Sequence, residues 1–538
     1  MSAGCCLPSH ADFFCVDPLR RVRAAGNPQK KGGKMKKRFA AAVLAVLMTA
    51  SLTACGGKSA GSSDAAAGTG EGGTFIYGLS TEINNFDPFT STTADAKSIY
   101  YNIYEGLVKV NEDGSEFLPA VASEVTRDSD SAYTFTLRDG VKFHNGQDVT
   151  MEDVTYSIDL AIKSKINGFD NIKDYSVDGN KITINLNTPD IGFLAYMVQA
   201  IVPAGSDDNG ELALQPVGTG PYAFSDYEVQ DHVTLVKNND YWGEPAHLDE
   251  VEVRFLADQT ELLTAFQAGS IDGFSAYGGI VSQLEEGTYN PYYSNSNAVQ
   301  VLALNNAVKP FDDVRVRQAV AYAVDADEVN ELVNYGHAVI VGTPVIPGLA
   351  RYCNTETADD YAVDTAKAKT LLEEAGYKDG FSFTVKVPSV YPVHVDSAQV
   401  MVNQLAKAGI TMNIEQVDWA TWLDSVYTNR DYEATIISLD GATAYPAAYL
   451  SRYQSDAGNN FINYKSDAFD AKYKEATTAT DEDVQTGLFM EAQQILSDEC
   501  CSVFIEDIST VRVWAPSFEG CADSPLYAID FASVSKVQ

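Results

Sequence analysis

The side chains that could do chemistry are thinly placed. Beyond residue 73 the histidines are His144, His232, His247, His337 and His394, each in an unlike local context, so they read as surface or packing residues rather than a ligand set. No HExxH, GxSxG, GxGxxG or GxxxxGK spacing occurs there, which removes support for zinc peptidases, serine hydrolases, dinucleotide sites and P-loop nucleotide hydrolysis. Acidic residues are plentiful, with 74 Asp+Glu against 37 Lys+Arg, so a general acid and base pair exists by number alone. Most of so many carboxylates must simply face solvent. No catalytic residue, metal set or cofactor motif emerges. Of the cysteines, Cys353, Cys500, Cys501 and Cys521 lie late in the chain without CxxC spacing. In an exported protein, one of the neighbours Cys500 and Cys501 is expected to pair with Cys521, with Cys353 either free or joined to the other.

Export is itself legible. Residues 36–38 read KKR and precede the apolar run FAAAVLAVLMTASL and the tract LTAC, which ends at Cys55. A basic start, a short apolar stretch and small residues make a secretory signal. The run is shorter than the roughly 20 apolar residues of a stable spanning helix, and the polar GGKSAGSSDAAAGTGEGG after Cys55 offers no stop-transfer pattern. LTAC resembles the lipobox of bacterial lipoproteins. That makes residues 35–54 the expected signal, Cys55 the lipid-modified first residue of the mature chain and 55–73 a flexible tether. Residues 1–34 fit no signal, and KKGGK at 30–34 is codable by a purine-rich run like a ribosome-binding site, so Met35 is the expected start.

Charge narrows the partners. The 538-residue chain carries a net charge of -37; without residues 1–54, which hold nine Lys/Arg and two Asp/Glu, 28 basic and 72 acidic residues remain, a net of -44. Such acidity repels nucleic acids and anionic lipid, and favours neutral, zwitterionic or cationic partners. With 45% hydrophobic and 11% aromatic residues the chain can build large cores.

The elements that must hold any site are mixed α and β. TFIYGL at 74–79 alternates as a strand, and DAKSIYYNIYEGLV at 95–108 has helical spacing. Residues 133–143 alternate around Asp139-Gly140, which predicts a hairpin. KITINL at 181–186 is a strand, and a helix over 150–162 opens on Thr150 with Asp153 three residues on, a relative of the capping box. Asp364 is a candidate N-cap for 365–375, which stops at Gly376. Strand 381–387, helix 395–408 and strand 410–417 form a strand-helix-strand unit, followed by a buried strand at 433–440. Asp312 is the expected N-cap of a helix burying Val314, Val316, Ala319, Val320 and Ala323, with Arg315 and Arg317 forming ion pairs or covering its surface.

Several tracts resemble the family 5 extracellular solute-binding proteins, the peptide-, nickel- and oligosaccharide-binding receptors of ATP-binding-cassette importers. They are YTFTLRDGVKFHNGQDVTMEDVT at 133–155, GTGPYAFSDY at 218–227, NNDYWGEPAHLDEV at 238–251, TAFQAGSIDG at 264–273 and PFDDVRVRQAVAYAVD at 310–325, in the family's order. Tyr241 and Trp242 in the third of these regions read as structural. The resemblance implies an α/β, two-lobed periplasmic-binding-protein-like fold of type II, cluster C type, with an extra domain inserted in the first lobe. By this reading lobe 1 comprises 74–118, 217–320 and 512–538, the inserted domain 119–216, and lobe 2 321–511. It also implies a monomer, a membrane permease as partner, and no enzymatic activity or cofactor.

The same resemblance locates a ligand site. In the family's peptide binders an aspartate in a tract like DGATAYPAAYL, residues 440–450, holds the peptide ammonium; Ala442 occupies that position here, and Ile436 replaces an arginine of one subgroup. Glu82 and Trp419 match an acidic cleft position and an aromatic that covers ligand, and Ser275 and Tyr277 lie where the family touches ligand. Asp440 is placed to take over the missing charge, while Tyr445 either stacks on ligand or fills the loop. Trp419 and Trp422 are three apart, so one of them is expected in the core. A peptide is the leading ligand, with an oligosaccharide, opine-like molecule or metal chelate as alternatives.

Overall fold

The computed structural model describes residues 70–538 except 92–93, 112–113, 115, 208–209, 277, 286, 442, 522–528 and 538; the signal region, Cys55, Tyr277 and Ala442 lie outside the described residues. The main sheet runs from edge to edge through Ile410–Val417, Phe381–Pro388, Ala434–Asp440, Asn290–Leu304, Val503–Trp514, Gly273–Ala276, Thr74–Leu79, Glu250–Phe255, His232–Lys237 and Tyr222–Glu228. Two long strands join its halves. Asn290–Leu304 and Val503–Trp514 pair with each other, while Val511–Trp514 also pair with Gly273–Ala276 and Ala298–Leu304 with Ala434–Asp440. Their mutual register breaks between Asn295 and Val299 and again between Gln300 and Val301. Such irregularities bend and twist a strand pair. The architecture is the expected two-lobed α/β fold.

Each half has its own packing. In the first, Phe75 and Tyr77 from TFIYGL meet the Trp514 ring edge-on at 5.1 and 5.9 Å. In the second, alternation along Asn290–Leu304 sends Val299, Val301 and Ala303 into one core and Leu302 and Leu304 into another, so the strand is buried on both faces. Phe381–Pro388 and Ile410–Val417 are parallel neighbours joined by helix Pro392–Lys407, as the spacing predicts. The Asp364 carboxylate accepts from the Lys367 amide at 2.9 Å and caps Thr365–Glu374.

Three local expectations are corrected. The Asp139-Gly140 turn makes no hairpin: Ala132–Leu137 pairs with Ala122–Ser129, just before it in the chain, on one side and with the distant Lys181–Leu186 on the other, so both of its edges are already filled. With Ile172–Asp178 these strands form a separate four-stranded sheet. Helix Met151–Lys163 does open as anticipated, the Thr150 amide donating to Asp153 Oδ2 at 2.8 Å. The cap at the 310–325 tract is Asp313 rather than Asp312, its carboxylate accepting from the Arg315 amide at 2.9 Å. This start leaves Val314 38% exposed, while Val316, Ala319, Val320 and Ala323 are buried. Arg315 pairs with Asp313 at the surface, but buried Arg317 uses no carboxylate: its guanidinium donates to the carbonyls of Phe311, Glu499 and Cys500 at 2.8–2.9 Å.

The expected disulfide is absent. Cys353, Cys500 and Cys501 are free thiols, and Cys521 Sγ accepts from the Arg512 guanidinium at 3.3 Å. Cys500 and Cys501 enter two different cores of the second half, whereas Cys521 packs against the core of the first, so neither neighbour shares a core with it.

A buried polar cluster lies where the long strands lose register. Glu506, fully buried, accepts from Asn334 Nδ2 at 2.6 Å and faces Gln300 across the ladder. Gln300 Nε2 in turn meets His394 Nδ1 at 2.8 Å. Burial, with Asp507 as a nearby negative charge, pushes the Glu506 carboxyl up to about 8, and burial pulls the His394 imidazole down to about 3.

Candidate functional site

A cavity of about 350 Å³ lies where the segment after Thr74–Leu79, the 164–167 and 195–200 stretches and the 440–450 tract converge. Its volume is within the range of small-molecule sites, about 300–1,000 Å³. One wall is the loop Pro88–Ser91, held by Asp87: Oδ1 accepts from the Phe89 amide at 2.9 Å and Oδ2 from the Thr90 hydroxyl at 2.7 Å. Gln199, on the opposite side, donates to the Pro88 carbonyl at 3.0 Å and ties the two segments together.

Helix Ala94–Tyr100 supplies Lys97 and Tyr100, and the turn beyond it supplies Tyr101 and Tyr104. The Tyr100 ring lies 5.1 Å from Tyr101 and 6.1 Å from Tyr104. Tyr196 completes the aromatic lining, and its place depends on Gly168: the backbone there has φ +84°, and a Cβ would lie 2.3 Å from the Tyr196 ring. Burial drives the Tyr100 and Tyr104 phenols well above their ordinary range, and Tyr101 up to about 12, so all three stay protonated and can donate. Tyr104, only 2% exposed, has no partner for its hydroxyl, and neither does Thr443, which reaches the cavity from the 440–450 tract. Orphaned buried hydroxyls of this kind call for a ligand or water. Lys165 stands at the cavity with Lys97, and among the described residues no carboxylate lines it.

The residues singled out from sequence sit elsewhere. Glu82 accepts from the Tyr227 hydroxyl at 2.7 Å and the Gln230 amide at 2.8 Å. Ser275 Oγ lies 2.8 Å from the Tyr77 hydroxyl. Trp422 is buried, donating to Thr435 Oγ1 at 2.9 Å, and Trp419 stacks on it at 5.0 Å with 38% of its surface exposed. Asp440 ends its strand exposed, its carbonyl taking a bond from Arg452 at 2.9 Å. Tyr445 is 2% exposed, edge-on to Tyr352 and Phe489, and lies so close over Gly192 that a Cβ there would be 2.0 Å from its ring. None of these lines the cavity, although Thr443, between Ala442 and Tyr445, does. Tyr241 and Trp242 are structural, both donating to half-buried Glu105, at 2.8 and 2.7 Å. Sequence reasoning passed over Lys97, Tyr100, Tyr101, Tyr104, Lys165 and Tyr196. The signal available was three tyrosines within five residues, 100–104, more than the buried face of one short helix needs.

Among the described residues no group of His, Cys, Asp and Glu could hold a metal ion, and no helix is long and apolar enough to cross a membrane. The family model for bacterial extracellular solute-binding proteins, family 5, matches residues 116–461. The chain is 27% identical to heme-binding protein A of Haemophilus influenzae, over 86% of this chain and 92% of that one. It is 27% identical to the oligopeptide-binding protein AppA of Bacillus subtilis, over 83% and 89%. The solved structure of the periplasmic binding protein DppA from Helicobacter pylori, in complex with the peptide STSA, superposes with a TM-score of 0.71 at 25% identity, covering 87% of this chain and 99% of that one. With a two-lobed fold, a cavity between its parts and these near full-length likenesses, the chain belongs to the family 5 bacterial extracellular solute-binding proteins.

Proposed function

We propose that this protein is the receptor of an ATP-binding-cassette importer, capturing an oligopeptide or a related solute in the tyrosine-lined cavity and delivering it to a membrane permease. The observation that carries this reading is the cavity, which Tyr104 and Thr443 line from separate parts of the chain with buried hydroxyls that lack a partner among the described residues. Relatives named for oligopeptide and heme binding support the solute class. Residues 74–118, 217–320 and 512–538 would act as lobe 1, 119–216 as its insertion and 321–511 as lobe 2. Bending at the two long strands, where their register breaks, would close the lobes, and ligand contacts would stabilise the closed population. Hydrolysis of ATP belongs to the partner, because this sequence has no P-loop spacing.

Lipid on Cys55 would hold the receptor at the outer face of the bacterial cytoplasmic membrane as a monomer, with residues 56–73 as the tether. Ala442 favours a second reading, a non-peptide solute such as an oligosaccharide or metal chelate, because alanine cannot pair with a peptide ammonium. Calorimetric titration of residues 56–538 with a peptide library and with defined glycans separates the two. Heat of binding with peptides supports the first reading; binding by a glycan alone overturns it.

A further inference from the structure

We infer that the cavity takes a ligand bearing a carboxylate or comparable anionic oxygen group, held by Lys97 with Lys165 beside it, and carrying no free ammonium. The inference rests on the proposed role of this cavity as the solute site. In a chain with 74 acidic residues against 37 basic ones, a lining with two lysines and no carboxylate reverses the overall charge balance. Neither Lys97 nor Lys165 has an ion-pair partner among the described residues. The nearby acid, Asp87, already accepts from the Phe89 amide and the Thr90 hydroxyl in holding the loop.

The neutral groups point the same way. Tyr104 and Thr443 keep hydroxyl hydrogens with no acceptor assigned, and the phenols stay protonated because burial resists their ionisation. Helix Met151–Lys163 ends at the cavity, but the amides of Ser164, Lys165 and Ile166 occupy the carbonyls of Leu160, Ile162 and Ala161, so its last turn offers no free acceptor row. The two cations are therefore unopposed by any described lining carboxylate, and the hydroxyls can donate to an anion. An anionic oxygen group gains charge-assisted bonds there, whereas an ammonium would meet two like charges and no counterion among the described lining residues. The faces of Tyr100, Tyr101 and Tyr196 suit an apolar or aromatic body attached to that acid.

The test uses the exported protein purified without denaturation, titrated by calorimetry with the tripeptide Ala-Phe-Ala, its N-acetylated form and its C-terminal amide. The N-acetylated acid is expected to bind at least as tightly as the unmodified peptide, and the amide at least tenfold more weakly. Lys97→Gln should weaken the acetylated acid about tenfold without altering the melting temperature or the affinity for the amide. Equal binding of acid and amide, or loss of binding on acetylation, overturns the inference while leaving the receptor reading intact. If none of the three binds, native mass spectrometry of the same protein decides. A retained acid without an amine supports the inference, a retained amine overturns it, and an empty protein overturns the receptor reading as well.

Discussion

Trp419 and Trp422 stack with their rings 5° from parallel, yet they do different work. Trp422 is buried and spends its indole N–H on Thr435, so Trp422→Ala should cost about 3–5 kcal/mol in urea unfolding, whereas Trp419→Ala should be nearly neutral. Equal losses from the two would contradict this assignment. The spacing made the division of labour legible; which ring went inward depended on Thr435, a residue on another strand. Asp440 teaches the complementary lesson. Its sequence position suggested a charge clamp, but its side chain is exposed and outside the cavity, so Asp440→Asn should leave solute affinity within about twofold by calorimetry. A tenfold loss would place it in the site after all. Lys97 was hidden for the opposite reason, since a lysine on a short helix reads as ordinary surface until the fold brings a cavity to it.

At the scale of elements, the strands and helices of the second half were readable because each carries its own period and caps, as at Asp364 and in the 381–417 unit. What failed were features decided by partners outside the local pattern. The Asp139-Gly140 turn has hairpin chemistry, but Ala122–Ser129 and Lys181–Leu186 claim both edges of the strand before it. The cysteine pairing failed because adjacent residues entered separate cores; alkylation of the denatured, unreduced protein should modify all four of Cys353, Cys500, Cys501 and Cys521, and protection of any pair would show a disulfide that the structure does not have among them.

The long crossing strands also carry a pH signature. The folded state holds the Glu506 proton up to about 8, whereas an unfolded carboxyl releases it near 4.5, so folded protein binds more protons between those values and this contribution to stability falls as pH rises through them. His394 acts oppositely: it stays neutral down to about 3 when folded but protonates near 6.5 when unfolded, and its contribution is lost as pH falls below 6.5. Glu506→Gln keeps an acceptor for Asn334 and removes the ionisation. It should therefore raise the melting temperature at pH 8 more than at pH 5; an equal change at both would show that Glu506 does not titrate in this window.

For the whole molecule, the net charge of -37 speaks against polyanionic partners as a class but says little about the solute, because four tyrosines and two lysines line a cavity whose chemistry departs from the surface average. The family was legible from continuous tracts. The cavity was not, since it is assembled from four separated stretches and closed by Thr443 from a fifth, a juxtaposition only the fold supplies. Its occupancy is the central claim, and Thr443→Trp tests it by filling the space from the 440–450 side. Native mass spectrometry of the protein purified without denaturation should show a retained solute in the wild type and none in the variant, at matching circular dichroism spectra. A variant that retains the same solute as fully as the wild type would contradict the account.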